Sequence, residues 1–161
     1  MPNTPFHTIT ELAALLKSQQ LSPVEVTRAL LERISQLDGR YKSYATVMAD
    51  QALEAARVAE QEIRAGTYRG PLHGVPVAVK DLCFTKGIRT MGGTRALADH
   101  APNFDATVVA RLHAAGAIDH GVMRLGEHSA AALVAVDEVV GRHQRDVLAS
   151  TCLLGTEMSS L

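Results

Sequence analysis

The stretch that most constrains this chain is Gly70 to Thr94, GPLHGVPVAVKDLCFTKGIRTMGGT. Its centre is an apolar run, Val75 to Val79, that ends in Lys80 and Asp81. Gly66, Gly70, Gly74, Gly87, Gly92 and Gly93 flank the run on both sides. A short apolar run between turn residues predicts a buried strand. A lysine at the end of such a strand is partly desolvated. Desolvation disfavours the ammonium and brings the neutral amine within reach. An amine held there, beside glycine-rich loops, is a candidate general base.

The rest of the chain gives that strand a setting. A length of 161 residues suits one domain, or an incomplete domain of something larger. Hydrophobic residues make up 47%, enough for a core, but aromatics only 4%, so Ala, Val and Leu must fill it. The formal charge of −1 argues against nucleic acid or an anionic membrane as the main partner. Cys83 and Cys152 match no metal spacing, which points to reduced thiols and a cytoplasmic protein. Met1 to Phe6 does not read as a secretory signal, and no apolar run is long enough to span a bilayer.

Periodicity predicts helices before the strand. Thr8-Ile9-Thr10-Glu11 has capping-box spacing and is followed by Leu12, Leu15 and Leu16 on one face. Ser22-Pro23-Val24-Glu25 repeats the signature. It opens a helix that buries Val26, Leu30, Ile34 and Leu37 and stops at Asp38-Gly39. Tyr41 to Val47 reads as a short strand. Asp50 caps a third helix that runs to about Ala65, with Leu53, Ala56 and Ile63 inward. After the central strand, Phe84 to Phe104 is a long loop with no clear period, of the kind that lines a site or moves. Asp105 caps a fourth helix with Val108, Val109 and Leu112 inward, ending at Ala115-Gly116. Ala117-Ile118 starts another strand, which Asp119-His120 interrupts. Strand, loop, helix and strand in this order imply a βαβ crossover. The fold class is therefore α/β: N-terminal helices followed by a mixed sheet.

The residues GPLHGVPVAVKD (Gly70 to Asp81), GIRTMGGT (Gly87 to Thr94) and DATVVARLHAAGAI (Asp105 to Ile118) resemble the amidase signature family. GVMRLGEHSA (Gly121 to Ala130) does so more weakly, and the helical phrase LSPVEVTRALLERI fits the family's opening. The Gly-x-Pro-x-x-x-Lys-Asp core is the specific part, since it joins a turn, a strand and one cation in fixed order. The resemblance implies hydrolysis of carboxamides to carboxylate and ammonia through a Ser–cis-Ser–Lys triad, with no metal or organic cofactor. It places Lys80 at the general base, acting on the bridging serine. It also puts Met91, Gly92, Gly93 and Thr94 near the substrate. An amidotransferase A-type subunit shares the same signature.

The chain then departs from the family. Ala130 to Leu161 holds only two glycines, Gly141 and Gly155, and no Gly/Ser-rich run that could supply both serines. The expectation is an incomplete amidase-signature fold: residues 1–130 form its N-terminal part, and 131–161 are a divergent, truncated or frame-shifted tail. Such a chain should be inactive alone, or should serve as an interaction fragment that completes a sheet with a partner, including self-association through an exposed sheet edge. Duller roles are expected for the other polar residues. His73 should order the turn before the strand by hydrogen bonding, and Cys83 should be a small buried thiol. Ser129, Ser150, Ser159 and Ser160 read as surface or capping residues. Asp81 either holds Lys80 by charge or caps a turn.

Overall fold

The computed structural model describes residues 7–124. The expectations for the tail, 131–161, lie outside the described residues, as do the four downstream serines. Thr8 caps α1 (Ile9–Lys17) as its spacing predicts: its Oγ1 accepts from the Glu11 N–H at 3.2 Å, and Glu11 Oε2 accepts from the Thr8 N–H at 2.8 Å. Ser22 Oγ accepts from the Val24 and Glu25 N–H groups at 3.0 and 3.3 Å and opens α2 (Pro23–Tyr41). After α2 come β1 (Tyr44–Val47), α3 (Ala49–Arg64), β2 (Pro76–Lys80), α4 (Thr107–Ala114) and β3 (Ile118–Met123).

Several boundaries differ from the expected ones, each for a local reason. The second helix does not stop at Asp38-Gly39. It runs on to Tyr41, and Lys42, with φ of 51°, closes it by donating to the Asp38 carbonyl at 2.7 Å. Asp38 still marks the end, because its Oδ1 accepts from the Ser43 and Tyr44 N–H groups at 2.7 and 3.1 Å and turns the chain into β1. Asp50 does not cap the third helix. Met48 holds that position without a side-chain bond, and Asp50 sits in the first turn, where the helix dipole favours it. Asp105 does not cap the fourth helix either. Ala106 is the cap residue, and Asp105 Oδ1 instead accepts from the Lys86 N–H at 2.7 Å. Leu37 and Val108, expected inside, are exposed.

The three strands form one mixed sheet in the order β1-β3-β2. β3 runs antiparallel to β1 and parallel to β2, with α4 as the crossover between β2 and β3. This is the predicted βαβ unit. The expected interruption at Asp119-His120 is absent, since β3 is continuous from Ile118 to Met123 and both residues are buried. One irregularity accommodates them. Val77 pairs with Asp119 but Ala78 pairs with Gly121, so His120 is an extra residue in β3, a β-bulge.

Helices cover the sheet through two apolar clusters. Leu16, Val26 and Val75 pack together, with Ile9, Leu12 and Leu21 against them. Ala52, Ala56 and Ile118 form the second, with Val24 alongside. Burying one side chain of Val, Leu or Ile size contributes about 1.5–3 kcal/mol. The small alanines of α3 let that helix lie close on β3. No helix among the described residues is long and apolar enough to cross a membrane.

Candidate active site

The site is built at the end of β2. Val75, Val77 and Val79 are almost fully buried, while Ala78 and Lys80, on the alternate face, are half-buried. Lys80 is the last residue of the strand and lies opposite Met123 of β3. Its carbonyl accepts from the N–H groups of Leu82 and Cys83 at 2.7 and 2.9 Å, so the chain turns sharply just beyond the amine. The apolar run predicts a lysine at the rim of a buried strand, and Lys80 occupies that rim.

The entry to β2 is equally fixed. His73 is fully buried, and its Nδ1 accepts from the Arg69 N–H at 3.1 Å. The ring proton must then sit on Nε2, which lies 2.9 Å from Glu62 Oε2. The Arg69 guanidinium, with His73 behind it, holds the Glu62 carboxyl below the usual range. Gly116, at the end of α4, has φ of 80°, and a Cβ there would meet His73 Cδ2 at 2.5 Å. Its carbonyl accepts from the Gly74 N–H at 2.9 Å. His73 thus orders the turn, as expected.

Asp81 is the residue whose role the sequence leaves open. It is buried, and its Oδ1 accepts from the Met91 N–H at 2.8 Å, ten residues on. Its own N–H donates to the Met123 carbonyl at 2.7 Å. The loop from Phe84 to Phe104 is therefore tied down rather than free. The Gly87 N–H donates to the Pro102 carbonyl at 2.8 Å, and the Thr90 N–H to the His100 carbonyl at 3.0 Å. Met91 to Thr94 forms a turn, with the Thr94 N–H on the Met91 carbonyl at 3.0 Å and Gly92 and Gly93 at φ of 57° and 74°. Two successive left-handed residues need glycine. Gly92, Gly93 and Thr94 are exposed, and Met91 is half-buried.

Other candidates separate from this site. Cys83 is half-buried, and burial pushes its thiol up while the Lys80 charge pulls it more weakly down, the reverse of an activated nucleophile. Asp119 and His120 form a second polar group, inside the sheet. His120 Nε2 lies 3.0 Å from the Tyr44 hydroxyl, and Asp119 Oδ1 accepts from the Gly121 N–H at 3.2 Å. Burial drives the Asp119 carboxyl up to about 6 and the His120 imidazole down to about 4. Along the chain alone, this pair reads as a break in the strand. The available signal is Tyr44, a hydroxyl on the neighbouring strand, but pairing it with His120 needs the sheet order.

These features define a class first: an α/β fold whose half-buried lysine closes a parallel strand and is followed by an aspartate that anchors a glycine turn. The family model named Amidase matches residues 25–133, and the chain belongs to that family. A Mycobacterium tuberculosis protein named "Putative amidase AmiD" is 50% identical over 119 residues, covering 74% of this chain and 25% of that protein. The A-type subunit of the glutamyl-tRNA(Gln) amidotransferase of Moorella thermoacetica is 45% identical over 120 residues, again 74% and 25%. The peptide amidase of Stenotrophomonas maltophilia superposes with a TM-score of 0.69 at 35% identity, covering 74% of this chain and 25% of that one. Fatty acid amide hydrolase shares the fold with a TM-score of 0.74 at 24% identity, covering 79% and 23%. The chain thus spans about a quarter of the length of the relatives it matches.

Proposed function

We propose that this chain carries the lysine-bearing part of a carboxamide hydrolase, with Lys80 as the general base toward a serine hydroxyl. The observation that carries this reading is the position of Lys80: the last residue of β2, half-buried, and followed directly by the residue that anchors a glycine turn. A base must sit within reach of its proton and be held still, and a strand end fixed on both sides does that. Met91 to Thr94 would border the amide substrate. Residues 130–161 contain no Gly/Ser-rich run, so in this reading the sequence supplies the base and not the nucleophile. The 161-residue chain by itself is therefore expected to be inactive. Residues 1–130 correspond in this reading to the N-terminal part of the family's domain, and 131–161 to a divergent tail.

Ammonia release from simple aliphatic and aryl amides tests this. The expected result is no turnover above buffer. Turnover that Lys80→Ala abolishes would overturn the inactive-fragment part and keep the role of Lys80. Turnover that Lys80→Ala leaves intact would remove that role. An amidotransferase A-type assignment uses the same residues at a slightly lower identity, so plain amide hydrolysis is placed first. A small-molecule substrate, a cytoplasmic setting and pairing through the outer edge of β1 or β2 belong to the same reading. Light scattering on the purified chain checks the last, and a monodisperse monomer would count against it.

A further inference from the structure

Lys80 and the Gly92-Gly93 turn are separated by eleven residues of loop, yet a site needs them at a constant offset. Four bonds tie that loop to its own return limb: Gly87 to Pro102, Thr90 to His100, Phe84 to Ala106 and Lys86 to Asp105. Those bonds fix the loop's shape but not its place relative to β2. The bond that does so directly is the one between Asp81 Oδ1 and the Met91 N–H, at 2.8 Å. Asp81 suits the task for three reasons. It directly follows the last strand residue, and its N–H is already engaged by β3 at 2.7 Å, so its backbone is part of the sheet. Strand alternation puts it on the buried side with Val77 and Val79, and it is only 4% exposed, where water competes poorly for a hydrogen bond. Its acceptor is a carboxylate oxygen, and a bond from an amide to a charged acceptor is about twice as strong as a neutral one.

We propose that Asp81 is a positioning residue, whose buried carboxylate pins the Met91 amide and so holds the Gly92-Gly93 turn at a fixed place relative to the end of β2. The proposal deepens the reading above and rests on it for the turn's relation to substrate. Its physical content does not depend on turnover. One hydrogen bond couples an exposed turn to the end of a core strand. Gly92, Gly93 and Thr94 lie in solvent and bury little of their own surface. Cutting the bond should release the turn while leaving the sheet closed.

Amide hydrogen exchange on the full chain, read residue by residue, tests this. Asp81→Ala is expected to speed exchange at Met91 by about tenfold or more, the size expected for losing a bond to a charged acceptor. Ile118 and Val122, in β3, should change by less than about threefold, a bound reflecting that sheet opening is a separate event. Asp81→Asn keeps a carbonyl acceptor of the same shape and should restore part of the protection, leaving exchange at Met91 about two- to fivefold faster than in the unmutated chain. Met91 unchanged in Asp81→Ala, equal acceleration across β3, or Asp81→Asn behaving like Asp81→Ala would each overturn the proposal. If Asp81→Ala does not fold, Asp81→Asn carries the test alone. The neutral acceptor should then give about two- to fivefold faster exchange at Met91 with β3 unchanged, in line with its weaker bond. No difference at Met91, or the same change in β3, would overturn it. A negative ammonia assay leaves this result untouched, and a failed exchange result leaves the role of Lys80 untouched.

Discussion

β2 and β3 lie side by side and handle polar side chains in opposite ways. β2 keeps its middle apolar and places Lys80 and Asp81 at its end, one half-buried and one tied to a loop amide. β3 carries Asp119 and His120 in its interior, both buried, with Tyr44 across the sheet as a partner. A polar group at a strand end can remain in contact with the surroundings and act on them. A polar group inside a sheet is worth its desolvation only if it is paired, and then it specifies register rather than reactivity. A titratable residue's position along the strand, more than its type, thus separates a chemical role from a structural one.

The strongest challenge to this contrast is to crowd β3. Gly121→Val would place a Cβ 2.7 Å from the Thr46 carbonyl oxygen, a backbone atom that cannot swing away. A loss of roughly 3 kcal/mol or more is expected, as for overpacking combined with backbone displacement. Thermal or urea unfolding measures it, and near-native stability would show that β1 is not held as described. Tyr44→Phe is gentler. It leaves the His120 Nε2 buried without its hydroxyl, at a cost of about 1–3 kcal/mol.

Acid titration of stability resolves the two buried groups of β3 from each other. The folded Asp119 carboxyl sits near 6 against an ordinary 3.8, so its contribution is present below about pH 4 and is lost as pH rises through 6. The folded His120 sits near 4 against an ordinary 6.5, so its contribution is present above 6.5 and is lost as pH falls toward 4. Their slopes oppose each other over about pH 4 to 6. Asp119→Asn should leave stability rising with pH in that window, and His120→Leu should leave it falling. Denaturant unfolding at several pH values reads both, and parallel profiles for the two variants would contradict the assignment. The smallest effect belongs to the other strand. Lys80→Ala, at a half-buried strand end, should change stability by less than about 1 kcal/mol in the same assay.

Much of this is legible in the chain itself. Thr8 and Ser22 announce their helices because a hydroxyl three residues before a glutamate is a local device that needs no tertiary partner. Val75 to Lys80 is legible because turn residues bound an apolar run. Asp50 and Asp105 mislead because a carboxylate near a helix start has other uses, and Asp105 is already taken by the Lys86 amide. Asp119 and His120 mislead because a polar pair breaks an apolar pattern, and only the sheet order supplies Tyr44 and the extra residue that seats them. The tie from Asp81 to Met91 has no signature at all, since a side chain reaching a backbone amide ten residues on leaves no mark in spacing.

The bulge at His120 acts as a phase shifter for the sheet. Ile118 and Val122 are four apart, an even step that in a regular strand would send both to one side. With one residue inserted between them, Ile118 aligns with Pro76 and Val122 with Val79, which face opposite ways. A single strand thereby turns two buried apolar side chains to opposite sides from a pattern that looks one-sided. Parity is set by one supernumerary histidine: were the same residues to run as a regular strand with His120 paired, every position after it would face the other way, whereas excising it would keep Val122 opposite Val79 in an unbroken ladder.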